Sequence, residues 1–371
     1  MGKWFLIHFQ PLEKYPPVVN FIRFVQQGSH GNDLHVITTH PGDNKPLIHF
    51  QGVHVHYAGK WKNRNRFLRL FFYIVFNIKS LWLLIRFRAG SILYYETLSA
   101  FGPCFYKKYF NRRVPVFIHY HEYSSKAEYE NGMALNRWLH KHEKGLYPKA
   151  AWVSHTNEQR MSLFLKDVIG QPPPHTYILP NYPPASWYKK ATGMARNKDE
   201  RIAFVYVGAL SLETMYTRQM AAFVANHASN CYWDIYSDNH DSDAIDFLKS
   251  LHATNIFFKG GVAYDQLPDI LPGYDIGVIL YNGNTLNFRY NAPNKFFEYL
   301  ICGLNVWYPV TMETMHQYEQ AQIKPWVRCV DFDQLKIGDK EDAYRTTQIP
   351  EPVYVAETVY ETLLAATFSE M

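Results

Sequence analysis

Short apolar runs recur along the whole chain, and between them the apolar positions relax to a three-to-four spacing. The runs cover residues 4–9, 34–38, 54–57, 91–95, 114–120 and 151–155 in the first half of the chain. In the second half they cover 202–207, 232–236, 256–259, 276–280, 305–308 and 327–330. They are rich in Val, Ile, Tyr, Phe and Trp, as strands buried on both faces are. Helical patterns separate most of them, so the alternation predicts an α/β protein with parallel sheets flanked by helices, twice over. A length of 371 residues is too great for one ordinary core. Pro180, Pro183 and Pro184, followed by the charged run 189–200, mark a linker. The expected domains are therefore 1–185 and 186–352, with a last helical segment within 353–371 that follows Pro350 and Pro352. Doubly wound domains bind ligands at the carboxyl ends of their strands, which places the expected site in the cleft between the two.

Composition adds a compartment and a charge asymmetry. The four cysteines, Cys104, Cys231, Cys302 and Cys329, are scattered without Cys-x-x-Cys spacing and read as reduced thiols of a cytoplasmic protein. The opening Met1-Gly-Lys-Trp-Phe-Leu-Ile-His-Phe has too short an apolar part for a signal peptide and reads as a first buried strand. The net charge of +5 conceals a split. Residues 1–180 hold 23 Lys and Arg against 10 Asp and Glu, whereas 181–371 hold 15 against 23. The first half is therefore suited to an anionic partner such as a membrane surface or a lipid diphosphate. No nucleic-acid module is recognisable, so nucleic acid is not an expected partner.

The densest chemical signal is Asn-Ala-Pro-Asn-Lys-Phe-Phe-Glu-Tyr-Leu-Ile-Cys-Gly over residues 291–303. Pro293 suits a helix start and Gly303 the position past its end, predicting a helix over about 293–302. Lys295 and the open N–H groups lie at the positive end of that helix, an anion-binding arrangement, and Glu298 follows within one turn. This segment resembles the donor-binding motif Pro-Asn-Lys-x-x-Glu-Tyr-x-x-x-Gly of bacterial glycosyltransferases of the family 4 type. That resemblance implies the GT-B fold, two Rossmann-like domains with a final helix that crosses back to the first. It further implies that Glu298 binds the nucleotide ribose and that Arg289, Tyr290, Asn291, Pro293, Asn294 and Lys295 surround the donor. In retaining members a Glu stands eight positions before the ribose Glu. Tyr290 occupies that position here, which leaves retention against inversion open.

Other segments fit the same resemblance. Phe-Val-Tyr-Val-Gly-Ala-Leu-Ser over 204–211 is a strand with a tight turn, where Gly208 admits a diphosphate and Ser211 follows it. Relatives carry an Arg and a Lys soon after this glycine, but here the first basic residue is Arg218. Gly260, Gly261 and Val262 match a turn that lies along the nucleotide base, and Asp275 is expected to open the next strand. The run 116–126 ends a strand with His119, His121, Glu122 and Lys126. His121 matches a histidine that contacts the donor sugar, and His121 or Glu122 is the candidate general base. Glu13 and Lys14, in the proline-rich loop 10–20, are candidate acceptor contacts together with Lys126.

Residues 60–88 set basic side chains beside Trp and Phe ahead of an apolar run broken by Asn77 and Lys79. The pattern fits an interfacial helix on anionic lipid and equally a core helix with a solvated start. No metal-binding cluster is evident. Asp241-Ser-Asp243 reads as a helix cap rather than a metal motif. The function implied is metal-independent transfer of a sugar, with retention as the expected outcome, from a nucleotide diphosphate sugar to a hydroxyl of a glycan or lipid-linked acceptor, as in polysaccharide biosynthesis. The setting implied is the cytoplasm, peripheral to the inner face of the plasma membrane. The alternatives are a nucleotide-sugar 2-epimerase of the same fold and a non-catalytic sugar-nucleotide-binding protein.

Overall fold

A computed structural model describes residues 2–28, 33–42, 47–60, 66–169, 171–194, 200–320, 322–336 and 349–369. Residues 61–65 of the basic stretch and 195–199 of the linker lie outside them. The chain forms two compact units, Met1–Pro180 with Ala356–Met371, and Asn181–Val355.

The first unit begins β1 (Trp4–His8), α1 (Pro16–Gln27), β2 (Leu34–His40), β3 (His54–Lys60), α2 (Arg66–Arg86), β4 (Ser91–Tyr95), α3 (Phe101–Tyr109) and β5 (Val116–Tyr120). It continues α4 (Lys126–Asn131), α5 (Ala134–Glu143), β6 (Trp152–His155), α6 (Glu158–Leu163) and β7 (Thr176–Ile178). Its sheet is parallel with order β3-β2-β1-β4-β5-β6-β7. The order reverses between β1 and β4, and such a switch point opens a crevice at the strand ends. Strands β1, β4 and β5 are buried along their whole length, as their unbroken apolar runs require. Beneath them the carboxylate of Glu143 accepts hydrogen bonds from Tyr94 (2.7 Å), Tyr120 (2.6 Å), Thr97 (2.8 Å) and Tyr147 (3.1 Å). Four hydroxyl donors satisfy a buried anion that would otherwise be costly, and they pin α5 to the sheet.

The second unit contains α7 (Ser186–Thr192), β8 (Ile202–Val207), α8 (Thr217–Ala225), β9 (Cys231–Tyr236), α9 (Ser242–Ser250), β10 (Ile256–Gly260) and α10 (Leu267–Ile270). Then come β11 (Ile276–Val278), α11 (Leu286–Arg289), α12 (Asn294–Ile301), β12 (Asn305–Pro309) and β13 (Val327–Val330). Its parallel sheet has the order β10-β9-β8-β11-β12-β13, with the switch point between β8 and β11. Asp275 precedes β11 and ties three strands together. Its Oδ2 accepts from Ala203 N (2.9 Å), and its carbonyl accepts from Asn305 N (3.0 Å).

The last helix, α13 (Ala356–Ser369), belongs to the first unit. Tyr360 donates its hydroxyl to the Pro17 carbonyl (3.1 Å) and sets its ring against Phe21, and Trp152 Nε1 donates to Thr367 Oγ1 (3.3 Å). All the strands expected from the sequence are present. The additional edge strand β7 is three residues long and follows Pro172, Pro173 and Pro174, so it carries no alternation to read. Asp241 does precede α9, but its side chain makes no capping bond; Ser242 Oγ donates to Asp243 Oδ1 (3.1 Å) instead.

Candidate functional site

Helix α12 lies flat on the second sheet because Gly277 has no side chain. A Cβ there would stand 2.3 Å from the ring of Tyr299, which fills the space. Tyr299 Oη in turn accepts from Val207 N (3.0 Å), so the helix holds the carboxyl end of β8. One turn earlier, Lys295 reaches the same strand end. Its Nζ donates to Tyr206 Oη (3.0 Å) and lies over the rings of Tyr206 and Tyr281, at 4.4 and 4.8 Å. Gly208 makes room for it. A Cβ at Gly208 would meet Nζ at 2.8 Å, and the backbone φ of +130° suits only glycine.

Lys295 is only 5% exposed. Among the described residues no carboxylate stands within ion-pair distance of it. Burial disfavours its charge, but the oxygens of Tyr206, Tyr281 and Tyr299 outweigh that and hold its pKa above the ordinary lysine value. The ammonium stays protonated beside a strand-end glycine without a counter-charge. Pro293 caps the helix with no side-chain hydrogen bond, so the cap supplies no side-chain acceptor to the first N–H groups. Glu298, one turn on, is buried, and burial pushes its carboxyl up to about 7 against the pull of Asn294 and Lys295. Asn294 Nδ2 donates to its Oε1 (2.7 Å).

The other sites expected in this unit are placed as follows. Gly260 takes φ +76° at the end of β10, and a Cβ at Gly261 would stand 2.7 Å from Asp238 Cβ, so the turn is bare backbone next to β9. Val262 packs against the core of the unit. Ser211 Oγ accepts from Glu213 N (3.2 Å) and Thr214 N (3.5 Å) and therefore shapes the loop after β8. Arg289, at the end of α11, lies 3.9 Å from Glu313 as an exposed pair. Tyr290 caps α11, and Asn291 N donates to Phe288 O (3.3 Å), which turns the chain into α12.

In the first unit the strand-end residues form an aromatic and imidazole cluster. His121 stacks on Tyr95 (5.1 Å, 14°), stands 5.4 Å from the Tyr15 ring and meets His8 edge-on at 6.1 Å. Its Nδ1 pairs with His119 Nε2 (3.2 Å), and His119 Nδ1 with Ser154 Oγ (2.8 Å). Burial lowers the pKa of His8 to about 4 and that of His119 well below the ordinary histidine value, so both are neutral near pH 7. Glu96 Oε1 accepts from the backbone N–H of His121 (2.7 Å) and Glu122 (3.2 Å), and buried Arg160 donates to the His121 carbonyl (2.7 Å). Glu96 takes a left-handed φ of +62°, and burial followed by the Glu122 charge pushes its carboxyl up to about 8. Glu122 itself is exposed. Glu13 Oε1 accepts from Ile48 N (3.3 Å) and anchors the 47–50 segment, with Lys14 beside it in the same short 3-10 turn. Lys126 is an exposed residue of α4, 3.9 Å from Glu130.

The sequence reading missed Glu96, Tyr95, His8, Tyr15 and Arg160 in the first unit, and Tyr206 and Tyr281 in the second. Glu96 carries the signal that exposed His121, a polar residue ending an apolar strand. The tyrosines sit inside apolar runs and carry none. Among the described residues no group of three or more His, Cys, Asp or Glu stands in a metal-holding arrangement.

No protein-family model matches the sequence, and no curated protein matches it. Solved structures do share its architecture. HepE of Anabaena, solved with UDP and glucose, superposes with a TM-score of 0.69 at 12% identity over 100% of both chains. The lipopolysaccharide outer core galactosyltransferase WaaB gives 0.64 at 10% identity, covering 99% of this chain and 100% of that one. Sucrose-phosphate synthase from Thermosynechococcus elongatus gives 0.63 at 11%, covering 99% and 91%. At these identities the likeness shows the fold, and the fold is GT-B.

Proposed function

We propose that the chain is a glycosyltransferase. It moves a sugar from a nucleotide diphosphate sugar held by the second unit to a hydroxyl of a glycan or lipid-linked acceptor held by the first. The observation that carries this reading is the buried Lys295 ammonium against Gly208 at the start of α12, with no carboxylate in ion-pair distance among the described residues. A buried cation without a counter-charge is costly, and a diphosphate supplies that charge. In transfer, negative charge develops on the leaving diphosphate, so fixed donors aimed there lower the barrier. Lys295 and the N–H groups of α12 do this without a divalent ion in the reaction we propose. Glu298 meets the ribose hydroxyls, the bare 260–262 turn lies along the base, and Tyr290 and Arg289 line the approach. His121 meets the donor sugar, and His121 or Glu122 takes the acceptor proton if the reaction inverts.

The non-catalytic reading draws on two features, Tyr290 where retaining enzymes carry a Glu, and the lack of a basic residue between Gly208 and Arg218. The place of action we propose is the cytoplasm, with the acceptor domain beside an anionic membrane, in polysaccharide assembly and without nucleic acid. The test is a thermal-shift panel of UDP, GDP, ADP and dTDP, each with chelator present, followed by product analysis with the matching nucleotide sugars. UDP heads the panel because HepE was solved with it. One nucleotide should raise the melting temperature and its sugar should be transferred or hydrolysed. Binding without turnover would leave the non-catalytic reading, an isomerised sugar the epimerase, and no shift with any nucleotide would end the proposal.

A further inference from the structure

We propose that the outward face of α2 docks the chain on an anionic lipid bilayer. This rests on the membrane placement proposed above, to which it gives a specific surface, and not on the glycosyl-transfer chemistry. Helix α2 buries Phe76, Leu83 and Leu84 in the core of the first unit. Asn77 and Ser80, on the same side, return their polar groups to the carbonyls of Tyr73 and Phe76, each at 2.8 Å. The opposite side carries Phe67, Phe71, Ile74, Ile78, Trp82 and Ile85 at a four-three-four-four-three spacing, which is one helix face. Four of these are exposed by 81% (Phe67), 56% (Phe71), 59% (Ile78) and 52% (Trp82). An apolar stripe along a helix of 21 residues, about 30 Å long, is more than scattered surface apolarity. The inner face is committed to the core, so the helix lies in an interface rather than spanning one.

Charge names the occupant. Residues 44–121 contain thirteen Lys and Arg and one acid, Glu96, whose carboxylate is taken by the backbone of His121 and Glu122. Helices α2 and α3 both run back to the amino-terminal edge of the sheet, so Arg86, Arg88, Lys108, Arg112 and Arg113 gather at one end of the stripe. All five are exposed, next to exposed Tyr109 and Phe110. Arg86 also covers the Trp82 ring at 5.3 Å, its charge at the border of the apolar strip. A shallow hollow of about 540 Å³ between α3 and the turn after α5 is bounded by Lys108, Arg112 and Lys149, cations that suit an anionic headgroup. A second copy of this chain, paired through the same face, brings no acidic surface to this basic border, whereas an anionic bilayer does, and the lipid-free oligomeric state is read in the test below.

The test uses the full chain with vesicles of phosphatidylcholine, alone or mixed with phosphatidylglycerol, without nucleotide or acceptor. The expected result is co-sedimentation with the anionic vesicles that weakens roughly tenfold on moving from low to high salt. Combined Phe71→Ser, Ile78→Ser and Trp82→Ser should abolish it, with the melting temperature unchanged because all three side chains face solvent. If that variant fails to fold, Arg86→Glu with Arg88→Glu reads the same surface and should weaken binding about tenfold or more. Failure to bind either vesicle, or full binding by the folded triple variant, would overturn the proposal. So would a lipid-free dimer that the triple variant turns into a monomer. A nucleotide-binding result of either sign leaves this outcome unaffected.

Discussion

The two strand-end crevices handle buried charge in opposite ways. In the first unit Glu96 is answered by backbone N–H groups of His121 and Glu122, Arg160 is answered by the His121 carbonyl, and His8 and His119 are kept neutral by burial. In the second unit Lys295 keeps its charge among tyrosine rings, and among the described residues no acid lies in ion-pair range. On the function proposed above, the first crevice orders neutral side chains for proton transfer and sugar contact, and the second, with no acid in ion-pair range of Lys295 among the described residues, takes a ligand that brings the opposite charge.

Four substitutions break or sharpen this contrast. Lys295→Met removes the charge at similar volume. Turnover should fall about 100-fold or more while the melting temperature holds or rises. A large drop in melting temperature would make Lys295 a structural group. His121→Ala, in the other crevice, should slow transfer roughly 100-fold yet leave the nucleotide thermal shift intact, and loss of that shift would blur the contrast. Gly208→Ala strains a left-handed backbone and pushes Lys295 aside, so nucleotide affinity in a titration should weaken roughly tenfold.

Glu298→Gln is read in stability, and its effect depends on pH. The folded-state pKa of Glu298 is raised to about 7 from 4.5, so the native state holds a proton that the unfolded chain releases between those values. Its contribution to stability is thus fully present below pH 4.5 and is lost as pH rises through 7, by up to roughly 3 kcal/mol. Urea titrations of the Gln variant should show a flatter decline over that window. Histidines in the first unit bend the curve the other way. His8, lowered to about 4, costs stability as pH falls from 6.5 towards 4.

The alternation of apolar runs with helical patterns was enough to read both sheets, because strands buried on two faces leave continuous apolar signatures. The α12 motif exposed Lys295 and Glu298 for a similar reason: a helix start, a cation and a carboxylate lie within one turn of sequence. It did not show that Lys295 points inward. That depends on Gly208, Tyr206 and Tyr281, which lie far off in the chain and meet it only after folding. The first crevice was legible only at His121 and Glu122. Its support comes from Glu96 on a neighbouring strand and Arg160 on α6, contacts that no local spacing encodes. For α2 the pattern did not show which face packs: one lies in the core and the other meets solvent.

The return of α13 to the first unit fixes an order of events during synthesis. Every strand of the second unit is synthesised before residues 356–369, so a chain lacking that segment has all the strands of the second sheet while the first unit lacks the Tyr360 and Thr367 anchors. A released chain truncated after residue 355 should resist protease over 202–330 and be cut in the first unit, where α1 has a bare flank.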